Sequence, residues 1–302
     1  MSPSEIDNFR LSMGGGAESA LAIAIAIMMF AVALSLRLEH FRFFKQQPAI
    51  YLAGVIGQII GLPLLTIGLC FILKPIPSVA LGMILVACCP GGSVSNILAL
   101  FGRANTALSV SLTATSSLFA AFLTPVSILF WSSLYPPTNN LLTEINLNIV
   151  SFLMQTLIIL ALPLIAGMLL AKFRPTAAEK LQKPMATLGA ALLAGIIIMA
   201  CWKFTPVYIT LGLGLVGIVI LHNLLAFLLG NIFARLARAD IPSRRAITLE
   251  VGIQNSGLGI VILLTQLEGL GGAGAIAGAW GAWHIIGGTA LVAFYRWSDR
   301  HV

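Results

Sequence analysis

Nine apolar stretches, each close to or above the ~20 residues that a helix needs to cross a bilayer, follow one another along this chain with short connections between them. Their approximate limits are 17–36, 49–73, 78–101, 104–132, 143–171, 184–202, 206–234, 243–268 and 272–297. Several exceed the minimum length, which predicts tilt or re-entrant ends. A soluble globule would need polar faces to oppose this material, and the chain has too few. Charged residues make up 9% of it, against an ordinary ~25%. The sequence therefore predicts an all-α polytopic membrane protein with nine transmembrane helices. A soluble enzyme, a disordered chain and a nucleic-acid binder are excluded on the same ground. Residues 1–16 are polar and Gly-rich and lack the basic flank of a signal peptide, so they do not read as a cleaved targeting segment. Cys70, Cys88, Cys89 and Cys201 lie in hydrophobic runs with no zinc or staple spacing, as small buried hydrophobes do.

The net charge of +7 is explained by where the charges fall. With the amino terminus placed outside, every odd-numbered connection faces the cytoplasm. Those connections and the tail carry Arg37, Arg42, Lys45, Arg103, Lys172, Arg174, Lys180, Lys183, Arg235, Arg238, Arg244, Arg245, Arg296 and Arg300. Arg10, Lys74 and Lys203 remain on the other side. Fourteen of seventeen basic residues inside is the positive-inside pattern. It predicts an outside amino terminus and a cytoplasmic carboxyl terminus in a cell membrane, with lipid around the chain.

Two of the nine segments differ from the rest. The third contains Cys89-Pro90-Gly91-Gly92-Ser93-Val94-Ser95-Asn96, and the eighth contains Glu250-Val251-Gly252-Ile253-Gln254-Asn255-Ser256-Gly257. Both set helix-weak glycines and polar side chains inside an apolar span. Pro90 also lacks the N–H that a helix needs. Backbone freed in this way persists in a membrane only inside protein or beside a wet cavity. The two breaks are five segments apart, and an odd offset reverses direction in the bilayer. This is the geometry of an inverted-topology repeat, in which segments one to four match six to nine. Segment five then has no partner, as if the first helix of the first copy were missing. Paired interrupted helices point to the binding site of a secondary transporter.

Glu250 is the one acidic residue placed within a span rather than near an end or in a connection. A carboxylate at that depth must be paired, protonated or bound to a cation. No Lys or Arg lies at mid-depth in the sequence, so a bound cation is the simplest reading and a proton is the second. Gln254 is four residues on and shares a face with Glu250 if helix persists. Gln58, Ser95, Asn96, Ser109 and Thr113 add neutral oxygens from spans two to four. Such donors suit Na⁺ better than a soft metal. Ser109 and Thr113, four apart, can instead back-bond within their own helix.

The run Cys88-Cys89-Pro90-Gly91-Gly92 with Ser95-Asn96, taken with Glu250-Val251-Gly252-Ile253-Gln254-Asn255-Ser256-Gly257, resembles the bile acid:sodium symporter family, in particular its bacterial members. The resemblance extends over nearly the whole chain after residue 17. It implies a fold with a panel domain (17–36, 143–171, 184–202) and a core domain (49–132 and 206–297), in which the two broken helices cross. This chain looks like such a protein without the first helix. The family likeness implies two sodium sites. The first is carried over to Ser95, Asn96, Ser109, Thr113 and Glu250. The second falls on Gln58, Glu250, Val251, Ile253 and Gln254, with Val251 and Ile253 giving backbone carbonyls.

The same resemblance implies an organic anion as substrate, bile acid-like or a small carboxylate, beside the crossover. Ser93, Asn255 and His284 are the candidate contacts. His284 reads equally as a wall residue or as a bridge between helices. His222 and Asn223 read as interhelical bonding, Trp280 and Trp283 as packing, and the Gly269–Gly281 stretch as a site of close helix contact. Sodium-coupled symport into the cytoplasm is the predicted function, with Na⁺ as coupling ion, two per cycle, and no cofactor. A proton-coupled or sodium-independent carrier, an intramembrane enzyme and a structural membrane protein are the alternatives. No nucleophile with base and orienting group, phosphate loop or metalloprotease motif is present. The bacterial inner membrane is the predicted location.

Overall fold

A computed structural model describes residues 2–11, 15–36 and 42–301, and among these every named element is a helix. Arg37, one of the basic residues counted above, lies outside the described residues, as do parts of the opening 16-residue stretch. The chain starts with α1 (Pro3–Asn8), α2 (Gly15–Ser35), α3 (Arg42–Gln46) and α4 (Pro48–Ile56). A π turn (Gly57–Gly61) joins α4 to α5 (Leu62–Leu73). The proline two residues past that turn explains it. Pro63 has no N–H for the Ile59 carbonyl, and the Leu62 N–H reaches back five residues to Gly57. The turn turns Gln58 inward, where it is buried.

The third expected segment is two helices, α6 (Pro77–Ala87) and α7 (Ser93–Phe101). After α8 (Thr106–Leu134) come α9 (Pro136–Glu144), α10 (Ile149–Phe173), α11 (Pro175–Lys203) and α12 (Thr205–Leu236). The eighth segment is again two helices, α13 (Ile241–Gly252) and α14 (Ser256–Gln266), and α15 (Gly271–Ser298) closes the chain. Among the described residues six helices are long and apolar enough to cross a membrane: Pro48–Leu73, Thr106–Leu134, Ile149–Phe173, Pro175–Lys203, Thr205–Leu236 and Gly271–Ser298. The other three expected spans fall on the shorter α2 and on the two broken pairs. Two boundaries differ from the hydropathy reading. The fifth helix-length segment begins at Ile149 rather than 143, because Asn148 caps it through the Ser151 N–H. The sixth begins at Pro175 rather than 184, since residues 175–183 are polar helix formers that hydropathy does not register.

Helix α2 packs on α10 and α11, while α15 lies against α6, α12 and α14. Small residues let α6 and α15 touch. A Cβ on Gly82 would sit 2.7 Å from the Ala273 Cα. His222 and Asn223 bond between helices, as read from the sequence. His222 Nε2 is 2.8 Å from Thr66 Oγ1 and its Nδ1 accepts from Trp280 Nε1 at 3.2 Å. Trp280 is fully buried, so it packs rather than walls a cavity.

The polar connections gather at two ends. At one, Asp7 Oδ1 accepts from the Ser78 N–H at 2.8 Å and Arg10 pairs with Glu268 at 3.3 Å. At the other, the Asn105 N–H donates to the Pro242 carbonyl at 2.9 Å, and Arg245 joins the Gly102 carbonyl to Asp299.

Candidate functional site

The two breaks meet each other. α6 ends at Ala87 with Cys88 as its cap, and Pro90 follows without an N–H to continue the ladder. α13 ends at Gly252, and Ile253 takes an extended conformation. Gly91 and Gln254 then form an antiparallel bridge. The Gly92 N–H donates to the Ile253 carbonyl at 3.2 Å, and the Asn255 N–H to the Pro90 carbonyl at 2.8 Å. Each break thus supplies partners for backbone groups the other has freed. The Gly91 N–H reaches Ser116 Oγ at 3.2 Å, and Asn223 Nδ2 caps the Gly252 carbonyl at 2.8 Å. The sequence reading did not assign Ser116 this role. Its signal is faint, since a serine in a long helix is ordinarily bonded to its own backbone.

Around this junction five oxygen-bearing side chains converge. Glu250 is fully buried, and among the described residues no Lys, Arg or His lies within ion-pair distance of it. Ser95 Oγ lies 2.7 Å from Glu250 Oε2, and Thr113 Oγ1 lies 2.8 and 2.9 Å from the two carboxylate oxygens. Asn96 Oδ1 lies 2.8 Å from Ser109 Oγ and 3.2 Å from Thr113 Oγ1. Ser95 Oγ also lies 3.3 Å from Thr113 Oγ1 and 2.8 Å from the Gly92 carbonyl. Seven close oxygen–oxygen contacts therefore share three hydroxyl protons. Proton donation alone, even with the Thr113 proton shared between both carboxylate oxygens, leaves several of them lone pair against lone pair. Ser95, Asn96, Ser109, Thr113 and Glu250 are thus one cage, drawn from α7, α8 and α13. In it Ser109 and Thr113 bond outward across helices.

The second expected set is arranged differently. Gln58 Nε2 donates to Gln254 Oε1 at 3.2 Å, and Gln254 Nε2 donates to the Val251 carbonyl at 2.8 Å. The Ile253 carbonyl takes the Gly92 N–H. Gln58, Val251 and Gln254 are therefore together, but Gln254 does not share a helical face with Glu250. The helix ends at Gly252, two residues before it, which corrects the i, i+4 reading.

Beside the junction opens a cavity of about 670 Å³, including its open mouth. Met28, Met29 and Val32 of α2 form one wall, and Ile197 of α11 adds to it. Ser93, Asn255 and His284 all line it, as do Thr113 and Ser256. Asn255 Oδ1 accepts from the Leu258 N–H at 3.1 Å, leaving its amide hydrogens to donate. The N-terminal turns of α7 and α14 also border this space. No Lys or Arg is among the lining residues.

Comparison with known proteins identifies the family. The family described as "Sodium Bile acid symporter family" matches residues 22–210, more than half of the chain. The "Uncharacterized sodium-dependent transporter YocS" of Bacillus subtilis is 31% identical over 268 residues, 88% of this chain and 79% of that protein. "Probable sodium/metabolite cotransporter BASS1, chloroplastic" of Arabidopsis thaliana is 31% identical over 229 residues, 76% of this chain and 55% of that one. The human "Ileal sodium/bile acid cotransporter" is 28% identical over 189 residues, 61% of this chain and 51% of that one. The chain thus spans about half the length of the last two relatives. With its family match, its helices of spanning length and its paired broken helices, this multi-pass membrane protein belongs to the sodium bile acid symporter family, a family of transporters and not of enzymes.

Proposed function

We propose that this protein carries an organic anion into the cytoplasm together with two Na⁺ by alternating access. The observation that carries this reading is the cage around Glu250. A buried carboxylate with no basic partner, among oxygens that outnumber their protons, is the arrangement a hard cation satisfies. Ser95, Asn96, Ser109, Thr113 and Glu250 hold the first ion in this reading. The second lies among Gln58, Glu250, Val251, Ile253 and Gln254, once the Gln254 amide leaves the Val251 carbonyl. Ser93, Asn255 and His284 face the anion, and the N-terminal turns of α7 and α14 offer it their positive dipole ends.

In the same reading the chain crosses the bacterial inner membrane nine times, with its amino terminus outside and its carboxyl terminus in the cytoplasm. The positive-inside distribution supports that orientation. The packing of α2 on α10 and α11 supports a panel of segments 17–36, 143–171 and 184–202. The remainder, 49–132 and 206–297, forms the core, an inverted repeat short of its first helix. Ions entering from outside stiffen the junction between the breaks, which sets the two helix N-termini for the anion. The core then moves against the panel and opens the cavity inward.

The test is uptake into proteoliposomes of a labelled bile acid and of a small branched carboxylate. A Na⁺ gradient drives uptake of at least one of them, a K⁺ gradient drives neither, and Glu250→Ala abolishes it. Sodium-driven uptake that is unchanged in Glu250→Ala overturns the reading. Uptake that follows a pH gradient without Na⁺ selects proton coupling instead.

A further inference from the structure

At the polar end that holds Arg245, two groups of arginines differ in how they are matched. Arg103 and Arg245 both lie on the Asp299 carboxylate, at 3.7 and 2.5 Å. Arg235, Arg238 and Arg244 stand at the turn between α12 and α13. Among the described residues no carboxylate lies within ion-pair distance of any of these three. Asp240 belongs to the same turn, but its Oδ1 accepts from the Ser243 N–H at 3.1 Å and caps α13.

Helix pairing brings the three cations together. α12 and α13 run antiparallel and meet closely, since a Cβ on Gly230 would lie 3.0 Å from the Thr248 Cα. Beside that contact Asn231 Nδ2 lies 3.5 Å from Thr248 Oγ1. Arg235 follows Asn231 by four residues and Arg244 precedes Thr248 by four, so both stand one turn nearer the connection, opposite each other. Arg235 Nε donates to Asn231 Oδ1 at 2.7 Å, and Arg244 Nη2 to the Ala239 carbonyl at 3.3 Å. Arg238 is exposed in the connecting turn, in the left-handed conformation with φ 56°. Arg244 Nε is buried and has no hydrogen-bond partner among the described residues. A buried donor left in that state is costly, and a ligand oxygen removes the cost.

The surface leading to this turn is apolar. Leu224, Leu228, Ile232 and Leu236 recur every four residues along α12 and are 61%, 51%, 43% and 76% exposed. The stripe runs into Arg235. A phosphodiester at the turn meets three guanidinium groups that no carboxylate neutralises, and the acyl chains of the same molecule lie along the stripe. A free anion leaves the stripe unused. We infer that the α12–α13 turn binds an anionic phospholipid, with Arg235, Arg238 and Arg244 at its phosphate and Leu228 and Ile232 at its tails. Arg244 and Glu250 belong to one helix, so the lipid braces the half-helix that carries the cage. The site lies outside the cavity and does not depend on which ion or anion is carried.

The experiment uses the purified full-length chain in a non-ionic detergent, with bound lipid counted by native mass spectrometry. The probes are dioleoyl-phosphatidylglycerol, dioleoyl-phosphatidylcholine, which has the same tails, and glycerol phosphate, which has none. Phosphatidylglycerol is expected to bind at least about tenfold more tightly than phosphatidylcholine, because several arginines act on one headgroup. Glycerol phosphate at the same concentration does not displace it. Arg235→Gln/Arg238→Gln, at two exposed positions, removes most of the preference, and adding Arg244→Gln removes the rest. If the third change prevents folding, the first two decide. Arg296→Gln/Arg300→Gln, which takes the same charge from the end of α15, leaves the preference intact. Equal binding of the two lipids by the wild type overturns the site, as does a preference that survives Arg235→Gln/Arg238→Gln. An equal loss in Arg296→Gln/Arg300→Gln reduces the attraction to net charge and overturns it too. Displacement by glycerol phosphate overturns the lipid assignment in favour of a free phosphate ester.

Discussion

At residue 91 the backbone leaves no room for a side chain. A Cβ there would lie 2.0 Å from Glu250 Oε1 and 3.1 Å from Gln58 Nε2. Ser95 and Thr113 hold that carboxylate in place, so moving it breaks their bonds to it. Gly91→Ala must therefore displace Glu250 from its cage. The apparent affinity for Na⁺, read as the salt dependence of thermal unfolding in detergent, is expected to fall at least about tenfold, the scale of losing one hydrogen bond to a charged group. Gly68→Ala, where nothing lies within 4 Å of the new carbon, keeps the wild-type response. A wild-type Na⁺ response in Gly91→Ala would mean that the cage is not the ion site. Glu250, Asn96 and the hydroxyl pair on α8 were legible from sequence because oxygen side chains inside apolar spans are costly and need a reason. Ser116 was not. A lone serine in a membrane helix costs little, and only its bonding distinguishes it.

Among elements, the broken helices were legible in outline, since Pro90 cannot continue a ladder and the glycines beside each break weaken one. The π turn at Gly57–Gly61 was not foreseen, although Pro63 is its cause. A proline close to a span's centre is compatible with several local geometries, and sequence alone does not choose among them. Where helices end, one contact set joins three elements. Arg245 of α13 donates to Asp299, just past α15, at 2.5 and 3.0 Å, and to the Gly102 carbonyl that ends α7 at 3.1 Å. Its guanidinium also lies 4.7 Å from the Tyr295 ring centre. Hydrogen bonding from Arg245 holds the Asp299 carboxyl below its ordinary value, partial desolvation opposes this, and the charges of Arg245 and Arg103 add to the lowering. A depressed carboxyl contributes stability above its unfolded value near 4, and loses it as pH falls through the folded value. Asp299→Asn is therefore expected to unfold at lower temperature than the wild type at pH 7. The gap should close as both are taken below about pH 4. A gap that is absent at neutral pH, or that persists at the acid end, would show that the contact does not tie these helix ends.

For the whole molecule, the sequence predicted that the basic connections alternate in side, and the structure gathers Arg103, Arg245 and the end of α15 together, far along the chain from one another. The composition of the two proposed ion sites bears on how much charge crosses per cycle. In the proposed reading both ions draw on the single carboxylate of Glu250, which moves with the core. If two Na⁺ accompany one monovalent anion, as proposed, one net positive charge enters per turnover. A membrane potential of 100 mV, negative inside, adds about 2.3 kcal/mol to the driving force for one charge, which raises the limiting accumulation ratio by about 50-fold. Proteoliposomes with a fixed Na⁺ gradient and a K⁺–valinomycin potential can report this directly. The steady-state accumulation of a monovalent anion should rise with the imposed potential by about tenfold for every 60 mV. Accumulation indifferent to potential would reduce the stoichiometry to one Na⁺ per anion. In that case the Gln58–Gln254 cluster would be a structural bond between helices, not a second ion site.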